Sequence, residues 1–517
     1  MPVDSLSAMS PFLENQYLML YFFIPLLPIS YILRCIYTQV HQYRVSRTKG
    51  CKDAQSKAPV KDPFIGLDFL WDCLFATPVE KYLDSTYRTF RQLGTTYVCR
   101  RWTWEAIYTC DSRNIKHVLA SGFDDFKLPR LRVNAMTGML GSGIFTLNGH
   151  SWSHARGVLR PCFAKQNKDN IINMLETHFQ ALLRRIPTDG GAIDLQPLFF
   201  WLTMDFATDF LMGHSTHVLD RASSHAKEKQ FVDDYLTCST EIVRKMQLGP
   251  LQMFSVNFAA MRARSRVFQY IDDFIRASLD RRKEEREDGE SLNTGCNVLQ
   301  GLAAVTTDRK QLRDQILHIL VASRDTTACL LSNLFFVLAR KPHIYDKLRR
   351  EVISIAGVEP ATSSQLNNME YLKWCVQESL RLHPVIPTNA REASKDTVLP
   401  YGGGKDGNSP LLVKKGNLVM YNIYAMHRDT HVFGPDPEEF VPERWIGLRP
   451  GWGYLPFNGG PRICIGQKFA LLETHYLVAR MVQTFETMSA SDDAEWVELY
   501  ALATTCKDGV NVSLTRA

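Results

Sequence analysis

The chain has 517 residues with 60 basic and 54 acidic side chains, a formal net charge of +6, and 45% hydrophobic against 22% charged residues. Such a composition supplies ample core, excludes disorder over most of the length, and lacks the strong basicity of a nucleic-acid binder. The twelve cysteines are scattered, with no CxxC pair and no short metal-ligand spacing, which argues against a disulfide scaffold or a structural zinc site and suits a reducing compartment.

The charge is unevenly placed. Residues 1–33 carry −2, residues 34–61 carry +6, and the remainder only +2. Between the acidic tail and the basic stretch lies Tyr17–Leu33, a run without a charged side chain. At 1.5 Å per residue it spans roughly 25 Å as a helix, and Arg34 can snorkel to extend the span through Tyr37. The pattern predicts a short lumenal tail (1–16), a membrane anchor (17–37), a basic flank and hinge (38–61) and a large body (62–517). Pro25 and Pro28 would bend the anchor, and Pro59 and Pro63 would stiffen the hinge. Basic residues after the apolar run place the body in the cytosol.

The body reads as mainly helical, with strand-like runs such as Leu411–Tyr424 and a charged loop over Lys283–Ser291. Gly141-Ser142-Gly143 is a lone GxG, and Gly402-Gly403-Gly404 with Asp406-Gly407 reads as a turn between strands; neither argues for nucleotide binding. Trp152 and Arg156 share a helix face at i, i+4, and Glu378 and Arg381 share one at i, i+3. Ala322-Ser323-Arg324-Asp325-Thr326-Thr327 interrupts a long apolar helical pattern with polar residues. Taken alone, it is a core helix in which a threonine bonds back to a carbonyl.

The segment Phe457-Asn458-Gly459-Gly460-Pro461-Arg462-Ile463-Cys464-Ile465-Gly466 carries the clearest chemistry. A lone cysteine follows a glycine-rich loop and precedes the helical run Gln467–Phe485, so the helix N-terminus can stabilise a thiolate. The glycines would let a flat partner approach the backbone.

That segment matches FxxGxRxCxG and resembles the haem-thiolate cytochrome P450 monooxygenases. The resemblance implies a mainly α fold with small β-sheets (α+β), the cytochrome P450 fold, preceded by one anchor helix. It also implies haem b, with Cys464 as the axial iron ligand, Phe457 beside the sulfur, and Arg462, Trp152, Arg156 and Arg391 as haem-binding residues. Glu378, Arg381 and Arg444, the last in Pro442-Glu443-Arg444-Trp445, would form the buried structural triad. Asp325 and Thr326 would be the catalytic acid–alcohol pair relaying protons to bound dioxygen. Ser323 stands where the family usually has glycine. With no chain left for a flavin domain, electrons would come from NADPH–cytochrome P450 reductase, with cytochrome b5 as an accessory donor. The implied setting is the endoplasmic reticulum membrane, single-pass, with O2 and a small lipophilic substrate as partners and no nucleic acid.

Lys61–Asp68, Gly143–Thr146, Leu159–Phe163, Arg324–Ala328 and Phe457–Arg462 resemble the fungal alkane and fatty-acid hydroxylases, which implies oxidation, singly or in succession, at a chain terminus. Ser323 and Pro129 depart from that pattern and leave open the alternative of tailoring a polyketide or terpenoid. A haem-thiolate isomerase and a non-catalytic haem-binding protein are rival classes, disfavoured by the complete Asp325–Thr326 pair.

Overall fold

A computed structural model describes residues 11–59, 82–101, 104–164, 167–220, 226–287 and 297–517. The longer helices among them are α1 (Pro11–Thr48), α2 (Tyr82–Leu93), α3 (Arg130–Leu140), α4 (Gly149–Ala164), α5 (Lys168–Leu183), α6 (Leu195–Met212), α7 (Ala226–Leu248), α8 (Phe258–Glu287), α9 (Arg309–Arg340), α10 (Pro342–Ala356), α11 (Glu370–Leu382) and α12 (Gln467–Thr484). The strands are β1 (Thr96–Arg101), β2 (Trp104–Thr109), β3 (Phe126–Lys127), β4 (Ile193–Asp194), β5 (Thr388–Ala393), β6 (Thr397–Gly403), β7 (Ser409–Val413), β8 (Leu418–Asn422), β9 (Phe485–Ala490), β10 (Glu498–Tyr500), β11 (Thr504–Cys506) and β12 (Asn511–Arg516). The largest sheet runs β1-β2-β8-β5-β3, with β2 and β8 parallel and the other pairs antiparallel. Three further sheets pair β6 with β7, β10 with β11, and β4-β12-β9.

The helical core is built around α9. Asp308 caps it, its carboxylate accepting the amides of Lys310 and Gln311. Beyond its first turn, apolar side chains cover most of its circumference, so neighbours must surround it. The Phe199 ring of α6 lies 5.3 Å from that of Phe335. The lone GxG loop lies against the same helix: a Cβ on Gly141 would fall 2.2 Å from the Asp314 carboxyl carbon, and Ser142 N donates to that carboxylate at 2.8 Å. Those glycines serve a close backbone approach to α9.

Two expected elements are revised. The charged loop over Lys283–Ser291 is helical as far as Glu287, where α8 ends, because lysine, arginine and glutamate are good helix formers. The run Leu411–Tyr424 is two strands, β7 and β8, separated by a turn that Asn417 N closes on Lys414 O at 2.9 Å.

Residues 17–37, the expected anchor, lie in α1; side chains before Pro28 are outside the described residues, and Ile29, Ile32, Leu33 and Ile36 are exposed. Among the described residues no helix is long and apolar enough to cross a membrane. After Thr48 the chain is strapped to the small sheets. Lys52 N donates to Pro410 O, Gln55 N to Gly402 O and Ala58 N to Val98 O, at 2.8–2.9 Å. Residues 61–68, with Pro63, lie outside the described residues.

At the base of the fold sits a fully buried ionic knot. Glu378 accepts both Arg381 nitrogens at 2.8 and 2.9 Å, Arg444 Nε at 3.3 Å, Trp445 Nε1 at 3.0 Å and Val441 N at 3.0 Å. Both Glu378 and Arg381 are 0% exposed. Replacing Glu378 with Ala leaves two guanidiniums without their carboxylate, a change of about 3–5 kcal/mol for a broken buried pair. The expected outcome is loss of folded protein, read by thermal denaturation and far-UV circular dichroism.

Candidate active site

The cysteine loop enters α12 through a 3-10 turn at Gly460–Arg462, with Gly466 as the helix N-cap. Gly460 has φ +67°, and a Cβ there would lie 1.9 Å from the Leu119 carbonyl oxygen; on Gly459 it would lie 2.7 Å from the Trp452 ring. These two glycines therefore serve the chain's own packing. Only at Gly466 is the backbone open, its nearest neighbour being Phe163 at 3.8 Å.

Cys464 N donates to Phe457 O at 3.0 Å and closes the loop. The cysteine lies deep within the protein and yet is exposed, so its side chain opens onto an internal cleft. Burial pushes its thiol up, while the Gly466 amide and the Arg156 cation oppose that rise. A metal bound to the sulfur would remove the proton outright.

Guanidiniums converge on the same region. Arg462 donates to Leu147 O at 3.0 Å and Asn148 Oδ1 at 3.1 Å, and its cation lies 4.3 Å from the Trp152 ring centre. Arg391, buried on β5, donates to Ala390 O at 2.8 Å and Asn389 Oδ1 at 3.3 Å. Arg156 donates to Ile463 O at 2.8 Å. Arg132 of α3 shares Asn389 Oδ1, at 2.9 Å. Among the described residues no carboxylate pairs with Arg156, Arg391 or Arg462. Burial and the neighbouring Arg391, Arg132 and Arg156 cations push Arg462 down to about 9. Like charges held together without counter-ions make a site for an anion. A sulfur donor facing a cleft beside such cations fits an iron macrocycle that carries carboxylates. Trp152 is buried on α4, and its indole N–H makes no hydrogen bond among the described residues.

Asp325 and Thr326 lie on α9, but the structure does not join them. Arg324 Nη1 donates to Asp325 Oδ1 at 2.5 Å. Thr326 Oγ1 donates to Ala322 O at 2.7 Å, and Ser323 Oγ to Ile319 O at 2.9 Å, so both hydroxyls bond back along an unbroken helix. The next residue makes the link that matters for placement. Thr327 Oγ1 donates to Glu473 Oε2 at 3.2 Å, tying α9 to the helix that leaves the cysteine loop. Glu473 is buried, and desolvation pushes its carboxyl up to about 8 against the pull of that hydrogen bond.

Several residues at the site were not singled out from the sequence. Asn148 and Asn389 steer the arginines, and Trp445 serves the Glu378 knot. Glu473 repeats no motif, and its only signal is a carboxylate on the apolar face of the predicted helix.

A model of the family described as Cytochrome P450 matches residues 64–505. The chain belongs to the cytochrome P450 family. Among similar proteins, cytochrome P450 monooxygenase himC of Aspergillus japonicus is 41% identical, over 94% of this chain and 87% of its own. Cytochrome P450 monooxygenase fsdH of Fusarium heterosporum is 38% identical over the same shares. Cytochrome P450 52A13 of Debaryomyces hansenii is 36% identical over 99% of this chain and all of its own. The protein is thus a cytochrome P450 monooxygenase, and the family's cofactor is haem whose iron is held by a cysteine thiolate.

In this cytochrome P450 Glu473 is protonated at neutral pH. Its folded-state pKa lies above the ordinary carboxylate range, so its contribution to stability is complete at low pH and is lost as pH rises toward and through about 8. Glu473→Gln keeps the shape without the titration. Thermal denaturation of the haem-loaded enzyme at pH 6 and pH 9 should show a decline in the wild type that is reduced in the variant; equal declines would overturn the assignment.

Proposed function

We propose that this cytochrome P450 is a membrane-anchored haem-thiolate monooxygenase that hydroxylates a lipophilic chain, such as the terminal carbon of a fatty acid or alkane. The observation that carries the site reading is Cys464, opening onto an internal cleft beside Arg156, Arg391 and Arg462, which have no carboxylate partners among the described residues. In this reading Cys464 would hold the haem iron through its sulfur as thiolate, with help from the Gly466 amide and Arg156. Arg462, Arg391 and Arg156 hold the haem carboxylates, with Trp152 offering its free indole N–H.

When bound, the haem supplies dioxygen activation and the oxidising power for C–H hydroxylation. The overall reaction consumes the substrate, O2, two electrons and two protons and yields alcohol and water. The electrons come from NADPH–cytochrome P450 reductase, with cytochrome b5 as an accessory donor. Asp325 and Thr326 hand protons inward. Each must first leave its present partner, Asp325 the Arg324 cation and Thr326 the Ala322 carbonyl.

The substrate class rests on two supports. The segments Arg324–Ala328 and Phe457–Arg462 resemble fungal alkane and fatty-acid hydroxylases. The surface carries apolar side chains that suit a lipid phase: Ile29, Ile32, Leu33 and Ile36 on α1, and Met253, Phe254, Val256 and Phe258 between α7 and α8, the latter group 65–77% exposed. This supports single-pass anchoring in the endoplasmic reticulum with the body cytosolic, in accord with the +6 flank at residues 34–61. A second reading, tailoring of a polyketide or terpenoid, is favoured by Ser323, whose side chain occupies room on α9 that a glycine would leave free.

Microsomes holding this chain and a fungal reductase, supplied with NADPH and long-chain fatty acids, should form terminally hydroxylated acids. Cys464→Ala should abolish both that product and the reduced carbon-monoxide absorbance. An unchanged spectrum in the variant would overturn the ligand assignment. Rearrangement of an already oxygenated substrate without reductase or O2 would favour an isomerase, and turnover of host metabolite extracts alone would favour the tailoring reading.

A further inference from the structure

The wedge between α3, α7 and the start of α8 holds a cavity of about 150 Å³, and none of its lining residues belongs to α9 or to the cysteine loop. Its inner wall is apolar, with Met139, Cys238 and Ile242 all buried. Val256 and Met261, exposed at its mouth, continue into the apolar surface of Met253, Phe254 and Phe258. A cavity of this size admits a head group with a short length of chain.

Charge in the cavity is unbalanced. Glu241 is its one lining carboxylate among the described residues, and that group is already taken: its oxygens accept Arg244 Nε and Nη2 at 2.8 Å each and Asn257 Nδ2 at 2.9 Å. Two lining cations are left over. Lys245 Nζ stands 3.9 Å from Glu241 Oε1, too far for a hydrogen bond, and makes none among the described residues. Arg264 gives Nη1 to Gly138 O at 3.1 Å and pairs with no carboxylate among the described residues. Both cations converge on Gly138, where a Cβ would lie 4.0 Å from Lys245 Nζ. Half-buried cations beside an apolar wall call for an anion that carries hydrocarbon.

We propose that this cavity is a carboxylate subsite, in which Lys245 and Arg264 hold the head of a fatty acid and so favour the acid over the ester or alkane of the same chain. The proposal rests on the chain-hydroxylation reading above. The Arg264 fork and the Lys245 point charge each take a carboxylate oxygen, and Met139 and Ile242 cover the first methylenes. A head held here, apart from the cysteine loop, leaves the far end of the chain free to reach that loop, which is what oxidation at the terminus needs.

The test compares kcat/KM for a long-chain fatty acid with that for its methyl ester, which has the chain without the charge, in haem-loaded enzyme with reductase. The wild type should prefer the acid. Lys245→Met and Arg264→Gln, each retaining the reduced carbon-monoxide absorbance, should lower the acid-to-ester ratio about fivefold, chiefly through the KM of the acid, and Lys245→Arg should keep it. A ratio unchanged in both charge-removing variants, or lowered equally by Lys245→Arg and Lys245→Met, overturns the proposal while the chain-hydroxylation reading stands. If acid, ester and alkane all give no product, that reading fails and the subsite with it. Phosphatidylserine vesicles offer anionic head groups from a membrane instead: vesicle binding lost in the variants with an unchanged acid-to-ester ratio would assign the cavity to the membrane and overturn the proposal. Should Arg264→Gln not hold haem, Lys245→Met, at a side chain 28% exposed, carries the measurements alone.

Discussion

The buried carboxylate of Glu378 is the constraint on which the geometry of the cysteine loop depends. It neutralises Arg381 and Arg444, and Arg381 then has N–H groups left for the main chain: Nη1 donates to His427 O at 3.2 Å and Pro437 O at 2.6 Å, and Nη2 to Glu439 O at 2.9 Å. His427 carries the order forward. Burial beside Arg381 pushes it down to about 3, so it is neutral at physiological pH. Its Nε2 accepts Leu455 N at 2.9 Å, which leaves Nδ1 to donate to Arg381 O. Leu455 lies two residues before Phe457, whose carbonyl closes the loop on Cys464 N. One acid thus fixes the loop through a chain of bonds, each of which requires the charge or neutrality of the one before it.

Charge is handled in opposite ways on the two sides of this core. At the Glu378 knot, cations and anion neutralise each other inside the protein. Around Arg462 the Arg156, Arg391 and Arg462 cations have only carbonyl and amide oxygens among the described residues, an arrangement that like-charge repulsion disfavours unless an anion enters. Glu473 follows a third course: a buried carboxyl with one hydroxyl partner is cheapest as the neutral acid, and there it can bridge two helices. Fold stability and cofactor binding are therefore separate electrostatic arrangements. A change at Glu378 acts on the folded chain itself, whereas on the proposed site assignment a change at Arg391 or Arg156 acts on what the folded chain can hold.

Much of this was legible in the sequence because it rests on local spacing. Glu378 and Arg381 are one helical turn apart, as are Trp152 and Arg156, and the cysteine loop is contiguous. What escaped reading depends on contacts between distant segments. Asn148 meets Arg462 across 314 positions and Trp445 meets Glu378 across 67, and no periodicity signals either. The glycine loop is a related case. Glycine marks close approach, but the sequence does not say to what, and at Gly460 the close neighbour is the main chain at Leu119. The charged run after Lys283 reads as a loop by its polarity, although its residues favour helix and α8 continues to Glu287.

The side chains of α9 fit the relay proposed above without disrupting a central helix. Thr326 and Ser323 spend their hydroxyl protons on carbonyls four residues back, which satisfies them in place and keeps the helix continuous. Asp325 is satisfied by its own neighbour, Arg324. The side chains of Ser323, Asp325 and Thr326 each have a partner within α9 itself. Each of these bonds is also exchangeable for one of similar strength, since a hydroxyl can swap a carbonyl for a ligand oxygen at little net cost. Arg324, held by aromatic faces as well as by its carboxylate, does not have to travel when Asp325 leaves it. On the relay proposed above, the motion needed is therefore a side-chain rotation within a fixed helix, and Thr327, bonded to Glu473, ties that helix to the one that leaves the cysteine loop.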